Sequence, residues 1–262
     1  MKEFQKFCYP KNHVLPSYTF YQRFIKNTFP IKGRPIVSAN DCPTEKISAF
    51  VDTFLNPIVQ KSKSYVKDTT DFLNLIKSIK IEHDYLIIGP LDVTSLYTQI
   101  PHNEGLEAIS KALNKYRSHS QNPKNESIVE LMKLVLTCNN FQFNKINYLQ
   151  IQGTAMGSKS APSYSGCFMT DLEERMLEAY PLKPLIWRRY IDDIYFHWQH
   201  GEEELKKWLV HLNNFHAKIK FTSEWSYDSV TFLDTRISIN RQEKCLKSDL
   251  FIKPTDSNSY CT

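Results

Sequence analysis

Residues 185–190 and 194–198 are rich in aromatic residues, and only Ile191-Asp192-Asp193 stands between them. Segments of that composition suit the pleated, half-buried surface of a sheet, and so short a break leaves room for little but a tight turn. The chain is therefore expected to form a hairpin with Asp192 and Asp193 at its tip. Neighbouring carboxylates repel each other unless a cation neutralises them, so the pair makes chemical sense around a divalent metal ion. A solvated acidic turn is the commoner fate of an Asp-Asp pair, but the apolar strands on both sides weigh against it here.

Apolar spacing supplies the elements around that hairpin. Ile47, Phe50, Val51, Phe54, Leu55 and Ile58 recur with helical period after Pro43-Thr44-Glu45, in a helix slowed or kinked at Pro57. Further helices are predicted over residues 69–80, 103–115, 126–138, 162–176 and 202–215. Residues 85–88 read as a buried strand leading to Asp92, 141–149 as a hairpin, and the tail as short strands near 231–239 and 246–252. Pro90 lacks a backbone donor, so the strand before Asp92 is expected to begin at Leu91 or to bulge. Residues 1–33, with Pro10, Pro16 and Pro30, read as a loop-rich and poorly defined segment. Helices and strands interleave irregularly, which predicts an α+β fold with an antiparallel sheet backed by helices.

The chain has 262 residues, 41% of them hydrophobic, enough for a substantial core in one continuous domain with subdomains. It contains no apolar run of about 18 residues and begins without a secretory signal, so an intracellular protein outside the membrane is expected. Cys8, Cys42, Cys138, Cys167, Cys245 and Cys261 form no C-x-x-C pair, which points to reduced thiols rather than a zinc site or a disulfide framework. The net charge of +5 is compatible with a polyanionic partner but does not identify one.

Three more stretches carry candidate chemistry. In Leu91-Asp92-Val93-Thr94-Ser95-Leu96-Tyr97 an acid ends a buried strand, where alone it would read as a turn or cap residue. From Gln152-Gly153-Thr154 to Lys159-Ser160-Ala161-Pro162, small residues run into a helix. Such a loop lets a ligand approach the backbone, and a helix N-terminus favours anions; a structural turn is the plain alternative. In Lys32-Gly33-Arg34, cations precede a short apolar strand and would suit a triphosphate, although most surface cations are only solvated.

Taken together and in this order, the four stretches resemble the signature of reverse transcriptases. The wording is similar to Penelope-like retroelements in particular, through RPIVSANDCPTEK, LDVTSLYTQIPHNEG, QGTAMGSKSAPS, RRYIDDIYF, FTSEW, TFLDTRIS and KPTDS, over roughly residues 34–257. The resemblance implies a reverse transcriptase domain over residues 34–262, with partial fingers and a palm. It implies RNA-directed DNA synthesis from dNTPs on an RNA or DNA template with a primer, using Mg²⁺, or Mn²⁺ in its place. Carried over residue by residue, Asp92 and Asp192 would bind the two metals, with Asp193 as the weaker third carboxylate. Tyr97 would lie under the incoming sugar, Arg34 would grip the triphosphate, and the loop with Gln152, Gly153 and Lys159 would lie against nucleotide and template. Lys218 or Lys220 would serve as general acid, with Lys220 the candidate taken forward.

Members of that family continue after KPTDS into a thumb and, in many cases, a GIY-YIG endonuclease; here the sequence stops at Thr262, so distributive synthesis is expected. A rival reading is a truncated retroelement relic that folds and binds nucleic acid without polymerising. A third is an RNA-synthesising polymerase, against which stands the bulk of Tyr97, a ring that would clash with a ribose 2′-hydroxyl.

Overall fold

A computed structural model describes residues 8–10, 18–25, 32–37, 39, 42–83, 85–118, 120–143 and 145–252. The KPTDS segment at residues 253–257 lies outside them. The described residues divide into two compact units, each assembled from two stretches of chain: residues 1–62 with 95–173, and residues 63–94 with 174–262.

The first unit combines a mixed sheet with helices. Its strands are β1 (Cys8–Pro10), β2 (Tyr18–Ile25) and β3 (Lys32–Val37), then β5 (Asn140–Phe143) and β6 (Ile146–Gln150) later in the chain, in the spatial order β1-β6-β5-β2-β3. All neighbours are antiparallel except β2 and β5. Of residues 1–33, read as loop-rich, those described include strands at 8–10 and 18–25, where β1 pairs with β6 and β2 with β3 and β5; most of that segment lies outside the described residues. Its main helices are α1 (Glu45–Val59), α4 (His102–Tyr116), α5 (Asn125–Thr137) and the start of α6 (Ala161–Glu178), as apolar spacing predicts. α1 carries Pro57 inside its last turn and stops at Val59. Val51, Leu55, Ile109, Leu113, Ile128 and Met132 are fully buried among these helices. Gly105 of α4 sits so close to α6 that a Cβ there would lie 2.0 Å from the Tyr164 hydroxyl.

The second unit is built on an antiparallel sheet in the order β7-β8-β4-β9, from β7 (Ile186–Tyr190), β8 (Asp193–Trp198), β4 (Ile87–Val93) and β9 (Phe221–Ser223). One face carries Trp187, Phe196 and Trp198, and α7 (Glu202–Phe215) covers it by inserting Trp208 among them, with ring centroids 5.8, 5.3 and 4.8 Å away. The other face carries Ile88, Tyr195 and His197 and is covered by α2 (Thr69–Lys77) and the hairpin of β10 (Ser229–Phe232) and β11 (Thr235–Asn240). Phe72 of α2 meets Tyr195 and Phe232 at 5.0 and 4.6 Å. Its helix starts where the Asp68 carboxylate accepts the Asp71 N–H at 2.8 Å. The apolar run near residues 231–239 is thus two strands, broken at Leu233 with φ of 53°, and β12 (Cys245–Leu250) pairs outside β11.

Contrary to the sequence expectation, β4 runs straight through Pro90, which pairs with Tyr195 of β8. The ladder explains why. Ile88 exchanges both backbone hydrogen bonds with Ser226 on the β9 side, so by alternation the missing N–H of Pro90 also points that way. Pro90 still accepts the Glu224 N–H at 3.2 Å, and its missing donor interrupts only the β4–β9 pairing.

Each unit combines helices with sheets that are antiparallel but for the β2–β5 pair, which makes the fold α+β. No helix among the described residues is long and apolar enough to cross a membrane.

Candidate active site

The second unit brings Asp92 and the Asp-Asp pair to one end of its sheet. β7 and β8 are joined by Ile191 and Asp192, and Tyr190 pairs directly with Asp193. Asp92, at the end of β4, is in turn the cross-strand partner of Asp193. The next rung is closed by the Val93 N–H, which donates to the Asp192 carbonyl at 3.0 Å. A hydrogen-bonded rung at 93 and 192 makes the 92–193 rung the non-hydrogen-bonded kind, in which side chains on one face approach most closely, with Cα atoms about 4.5 Å apart. Two carboxylates are thus direct neighbours on one face of the sheet, an arrangement that destabilises a sheet unless a cation offsets it. Asp92 is exposed, and Asp192 and Asp193 are half-buried.

Backbone conformation at the turn is unusual. Ile191 has φ of 55°, a region that costs a β-branched residue about 1–3 kcal/mol. Arg189, only 3% exposed, donates from its guanidinium to the Ile191 carbonyl at 3.2 Å. The strand holding Arg189 is tied down further by the Val66 N–H donating to the Arg189 carbonyl at 2.9 Å. In the sequence Arg188-Arg189 reads as a short cationic segment for a nucleic-acid backbone; the structure instead buries Arg189, two positions from Trp187 on the face that α7 covers.

The donor set at the strand ends is all carboxylate oxygen, which fits a hard divalent cation such as Mg²⁺ or Mn²⁺. Among the described residues no group of three or more His, Cys, Asp or Glu side chains is gathered as a ready-made metal cage. Mg²⁺ is held by one or two carboxylates together with waters and substrate phosphates, so the opposed pair is a fitting protein share. Lys220 has its backbone carbonyl on the β4 edge, where it accepts the Thr94 N–H at 2.8 Å. Its ammonium donates to the carbonyls of Asn213 and His216 at 2.5 and 3.0 Å, capping the end of α7.

In the first unit, Tyr97 lies on the single-turn helix α3 (Leu96–Gln99), and the Gln152 loop packs directly against it. The Thr154 N–H donates to the Tyr97 carbonyl at 2.7 Å and the Gly153 N–H to the Ile100 carbonyl at 2.9 Å. The Gln152 side-chain amide donates to the carbonyls of Thr98 and Gln99 at 3.1 and 3.2 Å. Gly153 has φ of +71°, and a Cβ there would stand 2.3 Å from the Tyr97 carbonyl oxygen, so no other residue fits. His102 Nε2 bonds the Gly153 carbonyl at 2.7 Å; since a carbonyl only accepts, that nitrogen carries the proton. Burial holds the His102 pKa below its ordinary value, partly offset by that same bond.

Further along the loop, Ser48 of α1 bonds the hydroxyls of Ser158 and Ser160 at 2.8 and 2.9 Å and accepts the Ser160 N–H at 2.8 Å. Lys159 points outward and meets Glu45 only at 3.9 Å. Arg34 lies in β3 opposite Arg23 of β2. Neither His102 nor Ser48 carries a sequence signal of its role, because each acts on partners more than 50 positions away.

The sequence profile of the family described as reverse transcriptase (RNA-dependent DNA polymerase) matches residues 25–226. No curated protein matches the chain in sequence. Among solved structures, an apo telomerase from Candida tropicalis, truncated from its C-terminal domain, is similar with a TM-score of 0.62 and 14% identity, over 95% of this chain and 58% of that one. A telomerase from Candida albicans, solved with a fragment of telomeric RNA, has a TM-score of 0.66 and 9% identity over 98% of this chain and 51% of that one. The RNA-dependent RNA polymerase of a human picobirnavirus has a TM-score of 0.60 and 10% identity over 87% of this chain and 45% of that one. The chain therefore spans about half of the polymerases it matches, and at these identities the likeness is one of fold. A family profile that covers most of the 262 residues, on a fold of this kind, makes the chain a member of the reverse transcriptase family.

Proposed function

We propose that this chain adds deoxynucleotides to the 3′-hydroxyl of a primer annealed to an RNA or DNA template, with Asp92, Asp192 and Asp193 as the carboxylates that hold divalent cations. The observation that carries this reading is the rung between Asp92 and Asp193, two acids far apart in the chain and directly opposed at the ends of β4 and β8. Like charges are set against each other where a purely structural sheet would avoid them.

In nucleotidyl transfer the primer oxygen bonds to the α-phosphorus while the bond from that phosphorus to the leaving oxygen breaks and pyrophosphate departs. Bound divalent cations supply stabilisation of the attacking and leaving oxygens. The protein's share is placement. The ladder holds the backbone of Asp92 opposite that of Asp193, and the bonds to the Asp192 and Ile191 carbonyls hold the backbone of the turn, which supports this assignment. Arg34 is assigned to the triphosphate, the loop from Gln152 to Lys159 to the nucleotide and template, and Tyr97 to excluding a ribose 2′-hydroxyl. Lys220 is assigned to protonating the leaving pyrophosphate, which requires its ammonium to leave the α7 carbonyls that hold it in this structure. The motif wording, from RPIVSANDCPTEK to TFLDTRIS, supports the finer reading of a Penelope-like retroelement enzyme.

Primer extension with the purified chain tests the proposal, with RNA and DNA templates and with dNTPs against rNTPs. Template-directed dNTP addition that requires Mg²⁺ or Mn²⁺ is the expected result. A folded chain that binds primer-template and extends nothing under either metal would favour the relic reading instead.

A further inference from the structure

α1 buries Ser48, Val51, Leu55 and Ile58 along one side. At about 100° per residue, Lys46, Phe50, Phe54 and, just past the helix end, Lys61 fall on one flank of that side, and the two acids of the helix, Glu45 and Asp52, fall on the other. Asp52 accepts the Ser163 hydroxyl at 2.5 Å and Glu45 meets Lys159 at 3.9 Å. The first flank is thus an acid-free stripe about 22 Å long, with a lysine at each end and two aromatic rings between. Phe50 stands 46% exposed in it.

The rings of the stripe are held and extended by the end of α4. Phe50 and Phe54 meet edge to face at 5.0 Å, and the Arg117 guanidinium lies 4.9 Å from the centre of the Phe54 ring. Arg117 is itself fixed, donating to Asn125 Oδ1 at 2.7 Å and to the Pro123 carbonyl at 3.2 Å. Beside it, the half-buried Tyr116 has the Lys61 and Lys115 ammonium groups over its ring at 5.5 and 5.4 Å. Lysines on other helix surfaces are disposed differently. Lys111, Lys133, Lys206 and Lys207 each pair with a glutamate three or four positions earlier, whereas no acid stands at that spacing from Lys46 or Lys61.

We propose that this stripe of α1, with Tyr116 and Lys115 of α4, is a binding surface for single-stranded nucleic acid. Aromatic rings give unpaired bases a place to stack, and ammonium groups between and beyond them take the phosphates. A duplex keeps its base faces stacked inside and offers the rings nothing, so the surface selects unpaired strands. The segregation of charge favours a polyanion over a protein segment, since both acids are kept off the flank that carries the rings. The surface lies outside the residues assigned to the reaction, and its occupation needs neither metal ion nor dNTP.

Fluorescence anisotropy with a labelled single-stranded RNA of about 12 nucleotides, in buffer with EDTA and over a range of salt, tests this. Lys46→Gln/Lys61→Gln should flatten the slope of log Kd against log salt by about 1.4, the share of two phosphate contacts on a single strand. The same loss of charge in Lys206→Gln/Lys207→Gln, where the ammonium groups already hold carboxylates on α7, should leave the wild-type slope. Phe50→Ala, a change at an exposed site, should weaken binding of the single strand at least about fivefold and leave binding of an RNA duplex of equal length as it was. A lysine variant whose slope moves no more than the control's would overturn the proposal, as would a Phe50→Ala protein that holds the single strand as tightly as the wild type. So would a wild type that self-associates in sedimentation and a Phe50→Ala protein that does not, with RNA binding intact, which would give the stripe to a second copy. No step of the reaction is read, so a chain that extends no primer would remove the polymerase reading and leave this result standing.

Discussion

Replacing Asp92 by Asn should make the metal-free protein more stable and at the same time inactive. Asp92 and Asp193 share a non-hydrogen-bonded rung, which sets their Cβ atoms about 5 Å apart, with the two carboxylates on one face. Two unit charges at that distance repel by about 0.8 kcal/mol in a water-like medium and by about 3 kcal/mol at an effective dielectric constant near 20. Asp92 is exposed and Asp193 half-buried, so the lower end applies, about 1 kcal/mol. In a domain of this size that corresponds to a rise in Tm of about 2–4 °C in buffer with EDTA. Divalent cation should act oppositely on the two proteins. Mg²⁺ at about ten times its Kd would add about 1.4 kcal/mol to the wild type and much less to Asp92→Asn, so the order of stability reverses. Thermal unfolding by circular dichroism, with and without Mg²⁺, reads both effects. An Asp92→Asn protein that is less stable than wild type without metal, or that gains as much from Mg²⁺, would refute the account of the opposed carboxylates.

Three further outcomes follow from other parts of the structure. Burial pushes the His197 pKa down from 6.5 to about 4, so the unfolded chain binds the proton more tightly. Stability is full above pH 6.5 and falls by roughly 3 kcal/mol as pH drops to about 4; urea titrations across that window should show the slope in the wild type and lose it in His197→Phe. Gly105→Ala should lower stability by about 1–2 kcal/mol despite the better helix propensity of Ala, because its Cβ would meet the buried Tyr164 hydroxyl at 2.0 Å; Tyr164→Phe should recover part of the loss. Arg189→Gln should slow single-turnover dNTP addition by at least about tenfold, through loss of the charged donor on the Ile191 carbonyl; an unchanged rate in a folded variant would remove Arg189 from the positioning of the turn.

The helices were legible because their apolar residues keep one period over several turns. Residues 103–115, 126–138 and 202–215 match α4, α5 and α7 within a residue or so at each end. The turn at Asp192 was legible for the same local reason, since its strands touch in sequence as well as in space. What stayed hidden is pairing at a distance. The meeting of Asp92 with the Asp192-Asp193 pair was expected through the family resemblance and not from any local pattern near Asp92, and nothing near Tyr18 announces Phe141. Pro90 misled because a proline is judged against a strand bonded on both sides, whereas its missing donor faces the side where β4 is paired only in part. The bonds from Gln152 to α3 were invisible because glutamine in a loop reads as a solvated residue or a ligand contact until its partners are known.

The central claim is that the acids at the ends of β4 and β8 carry nucleotidyl transfer, and single-turnover addition of one dNTP to a primer on an RNA template tests it most directly. The account predicts that the wild type adds the nucleotide with Mg²⁺ or Mn²⁺. It predicts that Asp92→Asn, with its circular dichroism spectrum unchanged, loses at least about a thousandfold in rate, the scale on which an electrostatic group at a reacting centre is felt. A folded Asp92→Asn protein that adds the nucleotide at close to the wild-type rate would contradict it.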